Sequence, residues 1–190
     1  NPYGAYDRSK AEATLEVLNS ARDGLDAVVV CPTGVIGPHD YRGSMMGSVI
    51  HDAAVAKTTL YVDGAYDFVD VRDVADGMIA ALKKGKRGES YILSGSKISV
   101  RYLLETVREI TGRHFLQFKV PFDLAKFAAL FTPMYYRLAH ATPRFTPYSL
   151  EVLKSNSNIS HAKATRELGY KPRSLHESIS DTVKWLLNRH

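Results

Sequence analysis

Tyr6-Asp7-Arg8-Ser9-Lys10 leads directly into Ala11-Glu12-Ala13-Thr14-Leu15-Glu16-Val17-Leu18, a run rich in helix formers. On a helix, residues i and i+4 lie one turn apart on the same face, so the Tyr6 phenol and the Lys10 ammonium stand side by side. A cation beside a phenol favours the phenolate form and suits the pair to proton transfer. The ammonium also keeps donors for the hydroxyls of a bound sugar. The plain alternative is a surface tyrosine beside a solvated lysine. Of the 11 tyrosines, Tyr6 alone has a lysine four residues on, so the order of the later segments has to decide.

The rest of the chain alternates helix and short apolar strand. A first helix is expected over Tyr3–Ala21, with Gly24 as punctuation and Ala27–Cys31 as a strand buried on both faces. Gly34, Gly37 and Pro38 mark Pro32–Gly43 as loop. Met45–Ala56 reads as a helix, and Leu60–Val62 and Tyr66–Val69 as short strands around the turn dipeptide Asp63-Gly64. Val71, Val74, Ala75, Met78, Ile79 and Leu82 form one apolar helical stripe. Ser90–Leu93 is another short buried strand. Val100, Leu103, Leu104, Val107 and Ile110 repeat the helical stripe up to Gly112, and Phe118–Val120 follows as a strand candidate. Thr146-Pro147 has the form of a helix cap with a first-turn proline. Ser174-Leu175-His176-Glu177 is a capping box for a last helix that carries Ile179, Val183, Leu186 and Leu187 inward. This alternation predicts an α/β sheet with parallel connections, and the mostly helical part from Lys97 onward predicts a second, smaller lobe.

At 190 residues and 45% hydrophobic, the chain can bury a substantial core. The net charge of +5 is scattered, and Lys83-Lys84-Gly85-Lys86-Arg87 fits a solvated helix end rather than a nucleic-acid patch. Cys31 is the single cysteine, which rules out an internal disulfide and fits a buried thiol in a reducing, cytoplasmic setting. There is no signal peptide and no apolar run of membrane-spanning length. The seven histidines form no metal-ligand pattern, so no metal is expected.

Four segments in this order resemble the C-terminal part of the extended short-chain dehydrogenase/reductases, the NAD-dependent epimerase/dehydratase family. They are Tyr6 with Lys10, Val28-Val29-Val30-Cys31-Pro32-Thr33-Gly34-Val35-Ile36-Gly37-Pro38, Phe68-Val69-Asp70-Val71-Arg72-Asp73-Val74-Ala75, and Glu167-Leu168-Gly169-Tyr170-Lys171-Pro172-Arg173. The resemblance implies the C-terminal part of a Rossmann-type doubly wound parallel sheet with a smaller, mostly helical substrate lobe. Residues 1–31 and 71–96 would be the remainder of the Rossmann domain, and 32–70 and 97–190 the substrate-binding lobe. It implies Tyr6 as general acid/base, with Lys10 assisting it and binding the nicotinamide ribose of NAD or NADP. Pro32, Thr33, Gly34 and Val35 would meet the nicotinamide carboxamide. The plain alternative for that segment is an ordinary strand exit whose glycines serve only the turn.

Other residues keep two readings. Asp70 and Asp73 near a helix N-terminus are explained by the helix dipole alone. Arg72 is out of place there unless it faces a substrate anion or pairs with those carboxylates. The apolar stretch Val120–Tyr136 is broken by Asp123 and Lys126 too early to span a membrane. An interfacial helix would want more basic residues opposite. Phe122, Phe127 and Phe131 are therefore expected to wall a substrate or to pack the lobe.

Within the family, epimerases usually carry Phe-Asn where this chain has Pro32-Thr33. The Gly37–Ser44 loop and the Thr146-Pro147 helix resemble the dihydroflavonol-4-reductase-like branch. The expectation is an NAD(P)-dependent reductase of a hydrophobic small-molecule carbonyl. A sugar-nucleotide epimerase/dehydratase is the enzymatic alternative, and a nucleotide-sensing regulator with the same fold is the non-enzymatic one. None of the 13 glycines builds a dinucleotide pyrophosphate loop. The chain is thus expected to need an N-terminal half, from the same longer chain or another one, and the assemblies expected include a homodimer.

Overall fold

The structure, a computed structural model, describes residues 4–113, 116–127 and 158–188. Helix α1 (Gly4–Arg22) leads to β1 (Val29–Pro32), β2 (Gly34–Ile36), α2 (Met45–Val55), β3 (Thr58–Val62), β4 (Ala65–Asp70) and α3 (Val71–Lys84). Then come β5 (Ser90–Leu93), β6 (Ser96–Ser99), α4 (Val100–Thr111), β7 (Leu116–Val120) and a helix over 122–127, α5. Helices α6 (Ala162–Leu168) and α7 (Leu175–Leu187) follow. Thr146, Pro147 and Phe131 lie outside the described residues.

The described strands form three small sheets. β1 pairs parallel with β5, Val30 opposite Tyr91. β2 pairs parallel with β4, which pairs antiparallel with β6. β3 pairs parallel with β7. Two sequence expectations change here. Gly34–Ile36, expected as loop, is a strand, because pairing with Phe68–Asp70 outweighs the glycines at its two ends. The strands around Asp63-Gly64 join different sheets and do not close on each other: β3 pairs with β7, and β4 with β2 and β6.

One core cluster joins Ile36, Ile50, Phe68, Leu103, Leu104, Val107, Ile179 and Val183, locking α2, α4 and α7 onto the β2–β4 sheet. A second joins Val69, Ala81, Tyr91, Leu93, Leu168 and Tyr170. In α3 the face toward the sheet is made of small residues. A Cβ on Gly77 would lie 2.7 Å from Leu93 Cδ1 and 3.3 Å from Tyr170 Cδ2. Of the stripe foreseen in the sequence, Val74 packs against this core, while Met78, Ile79 and Leu82 are exposed. Ser174 caps the last helix as expected, and Ser44, Asp70 and Ser99 likewise each accept a backbone N–H at a helix start.

Candidate active site

Tyr6 and Lys10 lie in the first turns of α1, and the Lys10 ammonium stands 5.7 Å from the centre of the Tyr6 ring. That is the reach of a cation over an aromatic face. The Tyr6 side chain is 68% exposed and the helix surface around it is open. A phenol that must meet a ligand needs such an open face.

The second group of candidates leaves β1. Pro32 is exposed at the strand end, and Thr33 and Gly34 carry the chain across to β2. The Thr33 hydroxyl donates to Asp67 Oδ1 at 2.6 Å, and the Gly95 N–H donates to the same oxygen at 3.0 Å. Asp67 is only 2% exposed. It therefore pins the strand exit and the β5–β6 connection to β4, with both donors on one carboxylate oxygen. Gly34 is glycine for space: an added Cβ would fall 2.8 Å from Phe68 Cδ1 and 3.0 Å from Tyr66 Cδ1. The Tyr66 hydroxyl is pushed up by burial first, then by the charges of Asp67 and of Asp7, the neighbour of Tyr6. Tyr66 thus stands against Gly34 at the strand exit and feels the charge of Asp7.

Past β2 the loop bends at His39, whose φ of 69° is a left-handed conformation uncommon for a side chain with Cβ. The His39 ring packs with Tyr41 and with Trp185 of α7. A cavity of about 250 Å³ opens there, bounded by Val35, Gly37, His39, Ser44, Val71 and Thr182.

Arg72 resolves differently from the other candidates. Its Nε and Nη2 donate to the two oxygens of Asp70 and its Nη1 to Asp181, all at 2.8–2.9 Å. Of the two roles open in the sequence, pairing with carboxylates is the one its geometry fills. The neighbouring Asp73 receives the Arg173 backbone N–H and Nε, both at 2.8 Å. Together these contacts rivet the N-terminus of α3 to α7. Burial pushes the Asp70 carboxyl up, but hydrogen bonds from the Arg72 side chain and backbone and from Ser178, with the Arg72 charge, hold it below the ordinary 3.8. Phe122 packs with Ala125 against Val62 and Val120, and Phe127 is exposed on α5. Burial also raises the Cys31 thiol, which fits an inert role.

Sequence reasoning missed Asp67 and Arg173. The signal for Asp67 was present: an acid inside the apolar strand Tyr66-Asp67-Phe68-Val69 has to find buried donors. Arg173 carried no such signal, since its partner lies 100 residues away.

Residues 1–94 match the NAD dependent epimerase/dehydratase family. The chain belongs to that family. It is 34% identical over 97% of its length to sterol demethylase protein B of Methylococcus capsulatus, covering 57% of that protein. A Synechocystis protein bearing the dihydroflavonol 4-reductase name is 31% identical, with 97% of this chain and 55% of that one covered. The 4-hydroxy-2-methyl-3-oxo-4-farnesyl-3,4-dihydroquinoline-1-oxide ketoreductase of Stigmatella aurantiaca is 30% identical, over 96% of this chain and 56% of that protein. Among solved structures, gox2253 superposes with a TM-score of 0.76 at 34% identity, over 97% of this chain and 56% of that one. The chain spans a little over half the length of these relatives. Its fold is the corresponding part of a Rossmann-type α/β fold, and the family's cofactor is NAD or NADP.

The residues present suit one end of that cofactor. The open phenol–ammonium pair at Tyr6 and Lys10 offers a hydroxyl and ammonium donors of the kind that hold a ribose. No glycine-rich loop for the pyrophosphate occurs in the sequence.

Proposed function

We propose that the whole protein is an NAD(P)-dependent reductase of a hydrophobic small-molecule carbonyl, with Tyr6 as the proton donor. The Tyr6–Lys10 pair carries this reading: an exposed phenol with an ammonium 5.7 Å from its ring centre, inside a chain of this family. The nicotinamide, when bound, supplies the hydride to the carbonyl carbon. The developing alkoxide needs a proton, which the Tyr6 hydroxyl gives up as general acid. Lys10 holds the ribose hydroxyls and stabilises the phenolate left behind. The backbone of Pro32, Thr33, Gly34 and Val35 meets the carboxamide. Phe122, Phe127 and Phe131 wall the substrate. Residues 1–31 and 71–96 serve the cofactor and 32–70 and 97–190 the substrate. The pyrophosphate loop belongs to a segment outside these 190 residues.

Two observations support reductase over sugar-nucleotide epimerase. Thr33 stands where the epimerases usually carry asparagine, and its hydroxyl is committed to Asp67 in the interior. The relatives also include proteins named for sterol and farnesyl-quinoline chemistry. The retained pair weighs against a regulator without turnover. Oxidation of NADH and NADPH by the whole protein against a panel of ketones is the test. Conversion of nucleotide sugars without net oxidation of NAD(P)H would assign the epimerase, and the lack of both activities would assign the regulator.

A further inference from the structure

Two strand exits meet at one carboxylate. β1 and β5 pair parallel with Pro32 opposite Leu93, and the Thr33 N–H just past that pair donates to the Leu93 carbonyl at 3.3 Å. From there the two segments part. β2 takes one edge of β4 and β6 the other, with Gly34 and Ser96 both opposite Phe68. The Asp67–Phe68 segment of β4 thus sits in the fork between the exits. Asp67 joins the two arms: its Oδ1 accepts the Thr33 hydroxyl at 2.6 Å from one and the Gly95 N–H at 3.0 Å from the other. Both arms run close against β4. A Cβ on Gly34 would fall 2.8 Å from Phe68 Cδ1, and one on Gly95 would meet the Phe68 carbonyl oxygen and lie 3.0 Å from Val69 Cα.

The arms are not held alike. The Gly95 arm has anchors of its own: the Ser94 carbonyl accepts from the Tyr170 hydroxyl, and the Ser94 hydroxyl donates to the Ile159 carbonyl, both at 3.1 Å. Thr33 belongs to neither the β1–β5 nor the β2–β4 ladder, and its side chain is fixed by Asp67. A carboxylate buried to 2% exposure carries a desolvation cost that a neutral tie would avoid. What it supplies in return is a shorter and stronger bond. A carboxamide is held by backbone donors and acceptors at fixed spacing, where a shift of about 1 Å is felt.

We propose that Asp67 is a positioning residue of the cofactor site: through Thr33 it sets the backbone of Pro32, Thr33, Gly34 and Val35 at the spacing that receives the nicotinamide carboxamide. This rests on the proposed contact between that backbone and the carboxamide. The test is calorimetric titration of the whole protein with NADH and NADPH, and with ADP-ribose and 2′-phospho-ADP-ribose, the same molecules without the nicotinamide. Asp67→Asn should weaken the dinucleotide that the parent prefers roughly five- to tenfold and leave its truncated counterpart within about twofold. Thr33→Val should shift the same ratio, and Thr33→Ser, which keeps the hydroxyl, should retain the parental one. The unfolding temperature shows whether Asp67→Asn keeps the fold, and the two Thr33 variants decide if it does not. Equal losses for both ligands would make Asp67 a scaffold residue only and overturn the proposal. Gly34→Ala, whose Cβ would press on Phe68, displaces the same backbone while leaving Asp67 in place. A ratio that moves in Gly34→Ala but in neither Asp67→Asn nor Thr33→Val keeps the carboxamide contact and removes Asp67 from it. A ratio that none of the variants moves removes the contact itself. Titration needs no turnover, so a protein that passes this test yet reduces no ketone fails the reductase reading alone.

Discussion

Thr33 donates a 2.6 Å hydrogen bond to the buried Asp67, so the hydroxyl at the exit of β1 is tied into the protein. The same Asp67 oxygen holds the Gly95 N–H, and one carboxylate thereby fixes the two connections that leave the β1–β5 pair. Asp67→Asn keeps the shape but weakens both charge-assisted bonds. The expected loss is about 1–3 kcal/mol of stability, more than for Thr33→Val. Urea unfolding of both variants checks the order. A larger loss for Thr33→Val would place the anchor elsewhere.

Tyr6→Phe in the whole protein should lower kcat by about 10²–10⁴-fold and leave cofactor affinity nearly unchanged. Lys10→Met should damage both. Steady-state rates together with fluorescence titration of NADPH separate the two effects. A Tyr6→Phe enzyme with more than half the parental rate would end the assignment, and intact affinity in Lys10→Met would remove the ribose contact.

Phe122 and Phe127 distinguish a substrate wall from lobe packing. Polar replacements at a wall raise KM for bulky ketones more than for small ones, because apolar contact scales with buried area. Phe122 packs on Val62 and Val120, so part of its effect will appear as lost stability. The ratio of kcat/KM for a bulky and a small ketone is the measurement, and a constant ratio assigns both residues to packing.

Acid should weaken the junction between α3 and α7. The Asp70 carboxyl is held below 3.8 in the folded chain, so its contribution is complete above that value and is lost as pH falls through the folded one. The difference in unfolding free energy between the parent and Asp70→Asn should therefore be largest near neutrality and shrink below about pH 3.8. Arg173→Met should cost roughly 3 kcal/mol at neutral pH, because it leaves the buried Asp73 without its cation. Denaturation midpoints over a pH series test both, and an Asp70→Asn difference that stays constant into acid would refute the linkage.

The isolated 190-residue chain should bind neither NADH nor NADPH tightly, having no pyrophosphate loop. With Met78, Ile79 and Leu82 exposed along α3, it should also self-associate. Calorimetric titration and light scattering give the answer. Micromolar binding by a monodisperse monomer would show that the cofactor site is complete within these residues.

Local chemistry was legible in the amino-acid order because it depends on neighbours. The i, i+4 spacing of Tyr6 and Lys10, the cap at Ser174 and the stripe of α4 each follow from helix geometry over a few residues. The alternation of helix and short apolar strand likewise announced a parallel α/β fold. Pairing was not legible in this way. Gly34–Ile36 becomes a strand only because β4 lies alongside, and Asp63-Gly64 separates two sheets because β3 finds β7 more than 50 residues on. The same distance hid the role of Arg72, whose neighbours in sequence left two functions open until Asp181 arrived from α7. Periodicity also says which residues of a helix or strand share a face, but not which face is inside. In α3 the small residues Gly77 and Ala81 met the sheet, and Met78, Ile79 and Leu82 were left outside. In β3 and β7 Thr59 and Gln117 went inward and the leucines outward. Those choices belong to the fit of one surface against another, which tertiary contact decides.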